Sequence, residues 1–142
     1  MLTKKSKYAL KALIYLAKSN DLIQIAELSE KENIPQKFLE NILLELRKHG
    51  LLYSKRGKEG GYKLGKDASQ ITFGQVIRIL DGPLAPISCV SQIAYQKCEE
   101  CDDEKTCEIR RIMKMVRDET ANILDGTTLK DAVKSKKRNI LS

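Results

Sequence analysis

The chain has 142 residues, of which 42% are hydrophobic and 32% are charged, and it carries a formal net charge of +7 at pH 7. This length suits one core domain with an extension. Its apolar runs are all shorter than the ~20 residues that a membrane-spanning helix needs, and its basic start leads into an amphipathic stretch without the features of a signal peptide. We therefore expect a cytoplasmic globular protein with no membrane partner.

The positive charge is concentrated in the N-terminal half of the chain. Residues 1–66 contain 14 Lys and Arg against 7 Asp and Glu, whereas residues 67–131 contain 8 against 12. Residues 132–142 add four positive charges and no acidic one. This distribution is expected if the N-terminal half contacts nucleic-acid phosphates, although a well-solvated protein surface can have the same composition.

The first part of the chain has the pattern of three helices. Apolar residues recur every three or four positions over 8–16, 25–33 and 35–50, which predicts an amphipathic helix in each segment. Pro35 suits the first position of the third helix, because a helix needs no backbone donor there. Gly50 suits the left-handed position that follows a helix end.

A β-hairpin is predicted after the third helix. Residues 51–55 and 62–64 have the composition of strands around the glycine-rich turn 56–61. Residues 22–25, between the first two helices, favour a short edge strand. The order helix, short helix, turn, longer helix and hairpin is that of a winged helix-turn-helix, and the ordered set favours DNA binding over an unspecialised helical domain.

A further helix and a long loop follow the hairpin. Thr72 and Gln75 form a capping box that begins the helix, and residues 81–83 end it with Asp-Gly-Pro. Residues 84–106 have no regular pattern. A loop of this length inside a compact protein usually has a function or is disordered.

A long amphipathic helix is predicted from Cys107 to Leu124. Its apolar side chains recur at helical spacing and are Ile109, Ile112, Met113, Val116, Ile123 and Leu124. A small domain has little core left to cover such a helix, so we expect it to pack against its copy in a homodimer; the alternative is a core helix within one chain. Residues 128–131 can cap one more short helix, and residues 136–138 begin a basic tail.

The four cysteines of the chain lie within nineteen residues. They are Cys89, Cys98, Cys101 and Cys107, and their spacing is C-x8-C-x2-C-x5-C. In a reducing compartment such a cluster is more often a ligand set or a redox switch than a structural disulfide pair. Grouped thiolates can hold zinc or an iron–sulfur cluster. The residues alone leave zinc, iron–sulfur, a reversible disulfide and inert thiols open.

These patterns predict a mainly α fold. A winged helix-turn-helix DNA-binding domain with a small β-hairpin wing is expected over residues 1–82. A cysteine-bearing sensor loop is expected over 83–106, and a long C-terminal dimerisation helix with a short following helix over 107–134. Residues 135–142 are expected to form a disordered basic tail.

The motifs that carry a resemblance to a known family are spread over nearly the whole chain. They lie at residues 2–3, 7–9, 34–40, 46–52, 56–57, 60–64 and 127–129. Together they resemble the Rrf2 family of bacterial winged-helix transcriptional regulators, the group of IscR, NsrR and CymR. The resemblance implies that the third helix enters the DNA major groove and that the hairpin is a wing.

The resemblance also implies which side chains contact DNA. They are Gln36, Lys37, Glu40, Asn41, Arg47, Lys48, Arg56, Lys58, Gly60, Gly61 and Tyr62. Gln36 and Asn41 can pair with adenine, and Glu40 can accept a hydrogen bond from the amino group of cytosine. The basic side chains of the helix would position the phosphate backbone, and Arg56 would enter a narrow minor groove. The two wing glycines would allow a close approach to phosphate.

Cluster-binding members of this family carry three cysteines and a fourth ligand of another type. The spacing from Cys101 to Cys107 matches the last two cysteines of that pattern, whereas Tyr95 stands at the place of the first. Arg110 stands where one branch of the family has histidine. The resemblance implies an iron–sulfur cluster, either 2Fe-2S or 4Fe-4S, and the candidate ligands here are Cys89, Cys98, Cys101 and Cys107. Zinc and the absence of a cofactor are the alternatives.

We therefore expect a homodimeric transcriptional regulator that binds double-stranded DNA and senses iron–sulfur, redox or reactive small-molecule status through its cysteines. One alternative is a DNA-binding protein with structural zinc or a thiol–disulfide switch. Another is a regulator that also binds a metabolic enzyme. An enzyme is not expected, because the sequence has no phosphate-binding glycine loop, no histidine near a nucleophile and no carboxylate pair in a predicted pocket.

Overall fold

The computed structural model describes residues 2–134, so the predicted basic tail at 135–142 lies outside the described residues. Within residues 2–134 the helices are α1 Lys4–Ala17, α2 Ile25–Glu32, α3 Gln36–Lys48, α4 Phe73–Asp81, α5 Glu108–Asp125 and α6 Leu129–Lys134. Two strands, β1 Leu52–Lys55 and β2 Gly61–Leu64, form an antiparallel hairpin. Short 3-10 turns lie at Ala68–Gln70, Ser88–Val90 and Glu104–Thr106. The prediction of a mainly α winged helix-turn-helix fold is confirmed.

One hydrophobic core holds the winged domain together. Helix α1 packs against α2, α3, α4 and α6. Most of the large, fully buried core side chains are leucine or isoleucine, namely Leu13, Leu16, Leu28, Ile34, Leu39, Ile42, Leu43, Leu46, Leu51, Ile71 and Leu129, and they are joined by Val76. Because α3 contributes four of them from one side, its opposite side is left facing solvent.

The turn between α2 and α3 fixes the angle at which α3 leaves the core. Asn33 ends α2 in the left-handed conformation with φ 54°, a conformation that asparagine tolerates better than most residues. The hydroxyl of Ser29 donates to the carbonyl of Ile34 at 2.5 Å, and Ile34 is 2% exposed. Pro35 occupies the N-cap position, one residue before the position predicted for it. Gly50 adopts the left-handed conformation, φ 79°, as predicted after the end of α3.

The wing is attached to the segment between α1 and α2 by a single bridge. The backbones of Ile23 and Tyr62 exchange two hydrogen bonds, of 2.8 Å and 2.7 Å. The prediction of a strand at residues 22–25 is therefore wrong: pairing stops at Ile23, because Ile25 already begins α2. Gly61 has φ 145°, and a Cβ at this position would lie 2.6 Å from the Ile23 carbonyl oxygen.

The C-terminal end of α5 returns the chain to the winged domain. Backbone hydrogen bonds join Phe73 to Thr127 at 3.0 Å and Leu129 to Ile71 at 2.9 Å. The guanidinium of Arg78 donates two hydrogen bonds to the Asp125 carboxylate, at 2.6 Å and 2.8 Å. These contacts fix one end of the long helix relative to the domain that carries α3.

Candidate nucleic-acid interface and cysteine loop

The exposed side of α3 brings together the predicted recognition residues. All six that the sequence analysis placed on this helix are exposed, namely Gln36, Lys37, Glu40, Asn41, Arg47 and Lys48. At 3.6 residues per turn, Lys37, Asn41 and Lys48 follow one line along the helix. These six side chains make the uncovered helix surface largely polar, with three basic residues and one acidic residue among them.

Contacts made by the flanks of α3 hold this surface in place. The Phe38 ring packs edge-to-face on Tyr8 of α1, with ring centroids 5.6 Å apart. Near the other end, the ammonium of Lys5 lies 2.8 Å from the Glu45 carboxylate. Neither pair was predicted, because each joins residues distant in sequence and depends on how α1 crosses α3.

The wing tip carries two of the predicted basic contacts. Arg56 and Lys58 are both exposed. The side-chain amide of Gln24, at the start of α2, donates to the carbonyl of Lys58 at 3.0 Å. This bond ties the tip to the helix-turn-helix, so that the wing and α3 form one surface.

The other three predicted wing residues make contacts within the chain. Gly60 is buried, and a Cβ there would overlap the carbonyl of Lys55. Gly61 makes room for Ile23, and the Tyr62 ring packs against the core. These backbone contacts are sufficient to explain why the turn needs glycine at residues 60 and 61.

The outer face of the hairpin has two residues that the sequence analysis missed. Tyr53 and Lys63 are opposite one another in the register, and the Lys63 ammonium lies 5.2 Å from the centroid of the Tyr53 ring. Both side chains are exposed. The alternation of strand residues between two faces could have identified them, since Ser54 and Tyr62 point the other way.

The cysteine loop places one thiol at the start of α5. Cys107 is the N-cap residue, and its Sγ accepts a hydrogen bond from the backbone N–H of Arg110 at 3.4 Å. The pKa of the Cys101 thiol is raised. The largest cause is partial desolvation, and the thiols of Cys107 and Cys98 add smaller contributions. The Cys101 thiol therefore lies close to that of Cys107, and Cys98 is near enough to act on it electrostatically.

Cys89 differs from the other three thiols. It is buried, 6% exposed, in the 3-10 turn next to Val90, whereas Cys98 is exposed. The guanidinium of Arg117 donates to the Val90 carbonyl at 2.8 Å and so fastens this turn to α5. The sequence grouped Cys89 with the others by spacing alone.

The loop between Cys89 and Cys107 is closed by polar contacts. The Tyr95 hydroxyl donates to the Glu104 carboxylate, and this bond raises the pKa of Tyr95. Within residues 2–134 no group of three or more His, Cys, Asp or Glu side chains is arranged to hold a metal ion. In the same part of the chain, the buried Nε of Arg110 has no hydrogen-bond partner, and it lies one helical turn from Cys107.

Helix α5 leaves an apolar face uncovered. Its exposed fractions are 68% for Ile109, 41% for Ile112, 56% for Met115, 43% for Val116 and 65% for Ile123. Two residues of the predicted apolar stripe are not part of this uncovered face: Leu124 packs against the core, and Met113 is half-buried. Met115, which was not predicted, takes part in the uncovered face. No helix within residues 2–134 is long and apolar enough to cross a membrane.

A winged helix that exposes a polar, basic helix face beside a basic wing defines a class of DNA-binding transcriptional regulators. The model of the Rrf2 family, described as an iron-dependent transcriptional regulator, matches residues 2–135. The chain belongs to this family of transcriptional regulators and is not an enzyme. The prediction made from the sequence motifs is confirmed.

Individual relatives agree with this assignment over most of their length. The chain is 42% identical over 136 residues to an rrf2-like HTH-type transcriptional regulator of Rhodobacter capsulatus, with 92% of this chain and 91% of that protein covered. It is 32% identical over 137 residues to IscR of Pectobacterium atrosepticum, covering 95% and 80%. The structure of CymR, the global cysteine regulator of B. subtilis, matches with a TM-score of 0.79 at 30% identity, covering 94% and 96%.

Proposed function

We propose that this protein is a homodimeric regulator that binds duplex DNA in the cytoplasm through α3 and the wing. The observation that carries the proposal is the exposed polar face of α3 in a domain whose basic wing tip is tied to the start of α2 by the bond from Gln24 to Lys58. Gln36, Glu40 and Asn41 read base edges in the major groove, and the lysines and arginines beside them contact phosphates.

The uncovered face of α5 supports the proposed dimer. Five large apolar side chains are exposed along this 18-residue helix, and none of its residues is buried. A second copy of the helix would remove this apolar surface from water. Two chains joined in this way present two recognition helices, which suits DNA with paired half-sites.

We propose further that the cysteine loop binds an iron–sulfur cluster, 2Fe-2S or 4Fe-4S. The donor set fits in its chemistry, because the four cysteines carry free thiols and thiolates are the usual cluster ligands. Cys98, Cys101 and Cys107 would hold it, and Cys89 is the weakest of the four candidates because it is buried in a separate turn. A bound cluster would supply a group that responds to iron supply, oxidants or reactive small molecules.

The position of Cys107 explains how such a site can affect DNA binding. Its side chain caps α5, while Asp125 at the other end of α5 is paired with Arg78 of the winged domain. A change at the loop therefore acts on the helix that sets the spacing of the two recognition helices. Couplings of this kind are typically about 1–3 kcal/mol in ligand affinity.

A thiol–disulfide switch between Cys101 and Cys107 is the second candidate. It is favoured by the proximity of the two thiols, since the Cys107 thiol contributes to the raised pKa of Cys101. Structural zinc is the remaining alternative for the cysteines. Neither the described residues nor the relatives named above support a metabolic-enzyme partner.

The deciding experiment is to purify the protein without oxygen and to measure its visible absorption, iron, sulfide and zinc. We expect a coloured protein with iron and sulfide, whose affinity for DNA changes when the cluster is removed. Zinc without iron would favour the structural alternative. Metal-free protein whose DNA affinity changes on reversible oxidation would favour the thiol switch.

DNA binding is tested separately by measuring affinity as a function of salt. The logarithm of affinity should fall with the logarithm of salt concentration by about 0.9 for each phosphate neutralised. Arg56→Ala should weaken binding, whereas Glu40→Ala should change the ranking of DNA sequences more than the affinity. An affinity that stays constant between low and moderate salt would contradict the phosphate contacts.

A further inference from the structure

An apolar side chain lies in the middle of the polar face of α3. Leu44 is 46% exposed and lies outside the hydrophobic core of the domain. With 100° between successive helical residues, Leu44 projects about 20° from Lys37 and about 40° from Lys48, so it is central on this face. The core leucines of the same helix, such as Leu43 and Leu46, point away from it.

The position of Leu44 is not explained by packing within the chain. The contacts that hold α3 in place come from its flanks, through Phe38 and Glu45. The exposed apolar face of α5 belongs to a different element, and the tertiary contacts of α3 are with α1, α2, α4 and β1. A leucine at this point is therefore surrounded by the side chains proposed to contact DNA, including Glu40 and Asn41 one turn earlier.

The base edges of the major groove contain one apolar group. Adenine, guanine and cytosine present hydrogen-bond donors and acceptors there, whereas thymine also presents its C5-methyl group. We propose that Leu44 is a sequence-specificity residue that packs against the C5-methyl group of a thymine in the bound DNA. This inference rests on the proposed DNA binding by α3 and adds to it a base preference that polar residues on that face do not supply.

The neighbouring side chains indicate where this thymine lies. Asn41 and Glu40 precede Leu44 by three and four residues, so the three side chains form one group on the helix surface. The thymine should therefore be adjacent to, or within two base pairs of, the base pairs contacted by Asn41 and Glu40. Because α3 occurs twice in the proposed dimer, the preference should appear once in each half-site.

The test uses deoxyuridine, which differs from thymidine only in lacking the C5-methyl group. A preferred DNA site is first selected from random sequences with the full-length protein, and each thymine is then replaced in turn. At the contacted thymine the replacement should weaken wild-type binding about four-fold per half-site, since that is the equilibrium effect of burying one methyl group. Leu44→Ala should bind the thymine and uracil versions equally at that position.

Two further variants separate the methyl contact from other effects. Leu44→Gln keeps a side chain of similar reach without its apolar end, and it too should lose the discrimination. Leu2→Ala removes a comparably exposed leucine, 52% exposed, from the segment that precedes α1, and this variant should keep the discrimination. Circular dichroism melting checks that all three variants are folded.

Each outcome bears on the proposal. If Leu44→Ala and Leu44→Gln keep the same thymine-to-uracil ratio as the wild type at every position, Leu44 does not contact a methyl group, although DNA binding by α3 stands. If the wild type selects no sequence and binds DNA no better than an unrelated protein of equal charge, the proposed DNA binding is wrong and the inference is wrong with it.

Discussion

The winged domain and the cysteine loop with α5 differ in how their positions are fixed. Helices α1 and α3 each bury several leucine or isoleucine side chains in a shared core, whereas α5 buries none of its 18 residues. The winged domain is thus held by its own apolar contacts. Helix α5 is joined to the rest of the chain by a few contacts, namely the Arg78–Asp125 pair, the bond from Arg117 to the Val90 carbonyl and the packing of Leu124 against the core.

This difference suggests that the winged domain is rigid, whereas the cysteine loop and α5 can change position. Removing apolar area from water is the main favourable contribution to folding, so the region with a complete core has one stable arrangement. The region without a core needs contributions from outside the chain, and a second copy and a thiolate-bound group are the proposed ones. The predictions below test each side of this comparison.

The largest effect on stability is expected in the core beneath the recognition face. Leu39→Ala removes a side chain that is 0% exposed and leaves a cavity under α3. It should lower the free energy of unfolding by about 2–5 kcal/mol. Leu44→Ala is the matched control on the same helix, and its effect should stay within about 0.5 kcal/mol. Urea denaturation measures both, and equal effects would mean that α3 is not packed as described.

The next effect concerns the uncovered face of α5. Ile112→Asp and Val116→Asp place a charge on the proposed dimer contact, where its desolvation would be unfavourable. Together they should give monomers in sedimentation while leaving the circular dichroism of the winged domain unchanged. Binding to DNA with two half-sites should be lost. Lys114→Asp introduces the same residue on another exposed side of α5 and should remain dimeric. A dimeric double variant would place the interface elsewhere.

A third comparison separates the thiols of the loop. Cys107→Ser removes a proposed cluster ligand and also alters the cap of α5, so it should lose bound iron and change the affinity for DNA. Cys89→Ser changes the buried thiol, the weakest of the four candidate ligands, and should keep more of its iron. Metal analysis of anaerobic protein measures the difference. Equal loss of iron in the two variants would make Cys89 a full ligand.

The local structure of the winged domain could be predicted because its signals are local. The spacing of leucines predicted α3, and Gly50 lies past its end as expected, whereas Pro35 is its N-cap and not its first residue. Residues 22–25 were assigned wrongly for a tertiary reason. Their β-favouring composition supports only one bridge, because the chain must turn into α2 immediately afterwards.

The long-range contacts could not be predicted from spacing. The return of Leu129 to the core beside α1 depends on where α5 ends. The roles of Gly60 and Gly61 in the turn required the path of the neighbouring backbone. Spacing placed all four cysteines in one set, whereas burial distinguishes Cys89 from the rest. Leu44 was overlooked because the apolar residues on the buried side of α3 account for the helical pattern without it, and its exposure was seen only in the fold.

The smallest effect is expected at the hinge between the two regions, where Arg78 pairs with Asp125. Its hydrogen bonds to the carboxylate hold the pKa of Asp125 below the usual value. A carboxyl group whose pKa is lower in the folded chain stabilises the fold above its unfolded-state pKa, and this contribution is lost as the pH falls through the folded-state pKa. Both side chains are partly exposed, so the contribution is modest.

Asp125→Asn should therefore lower the free energy of unfolding at pH 7 by about 0.5–1 kcal/mol. The difference from the wild type should stay constant down to the unfolded-state pKa of an aspartate, about 3.9, and shrink as the pH falls further towards the lowered folded-state pKa of Asp125. Glu108→Gln, which breaks a more exposed ion pair with Arg111 within α5, serves as the control and should change stability less. Gly74→Ala should disrupt the Arg78–Asp125 pair independently, because a Cβ at residue 74 would overlap the Asp125 carboxylate. If Asp125→Asn kept a constant difference from pH 7 to pH 3, packing and not the charge pair would join α5 to the winged domain.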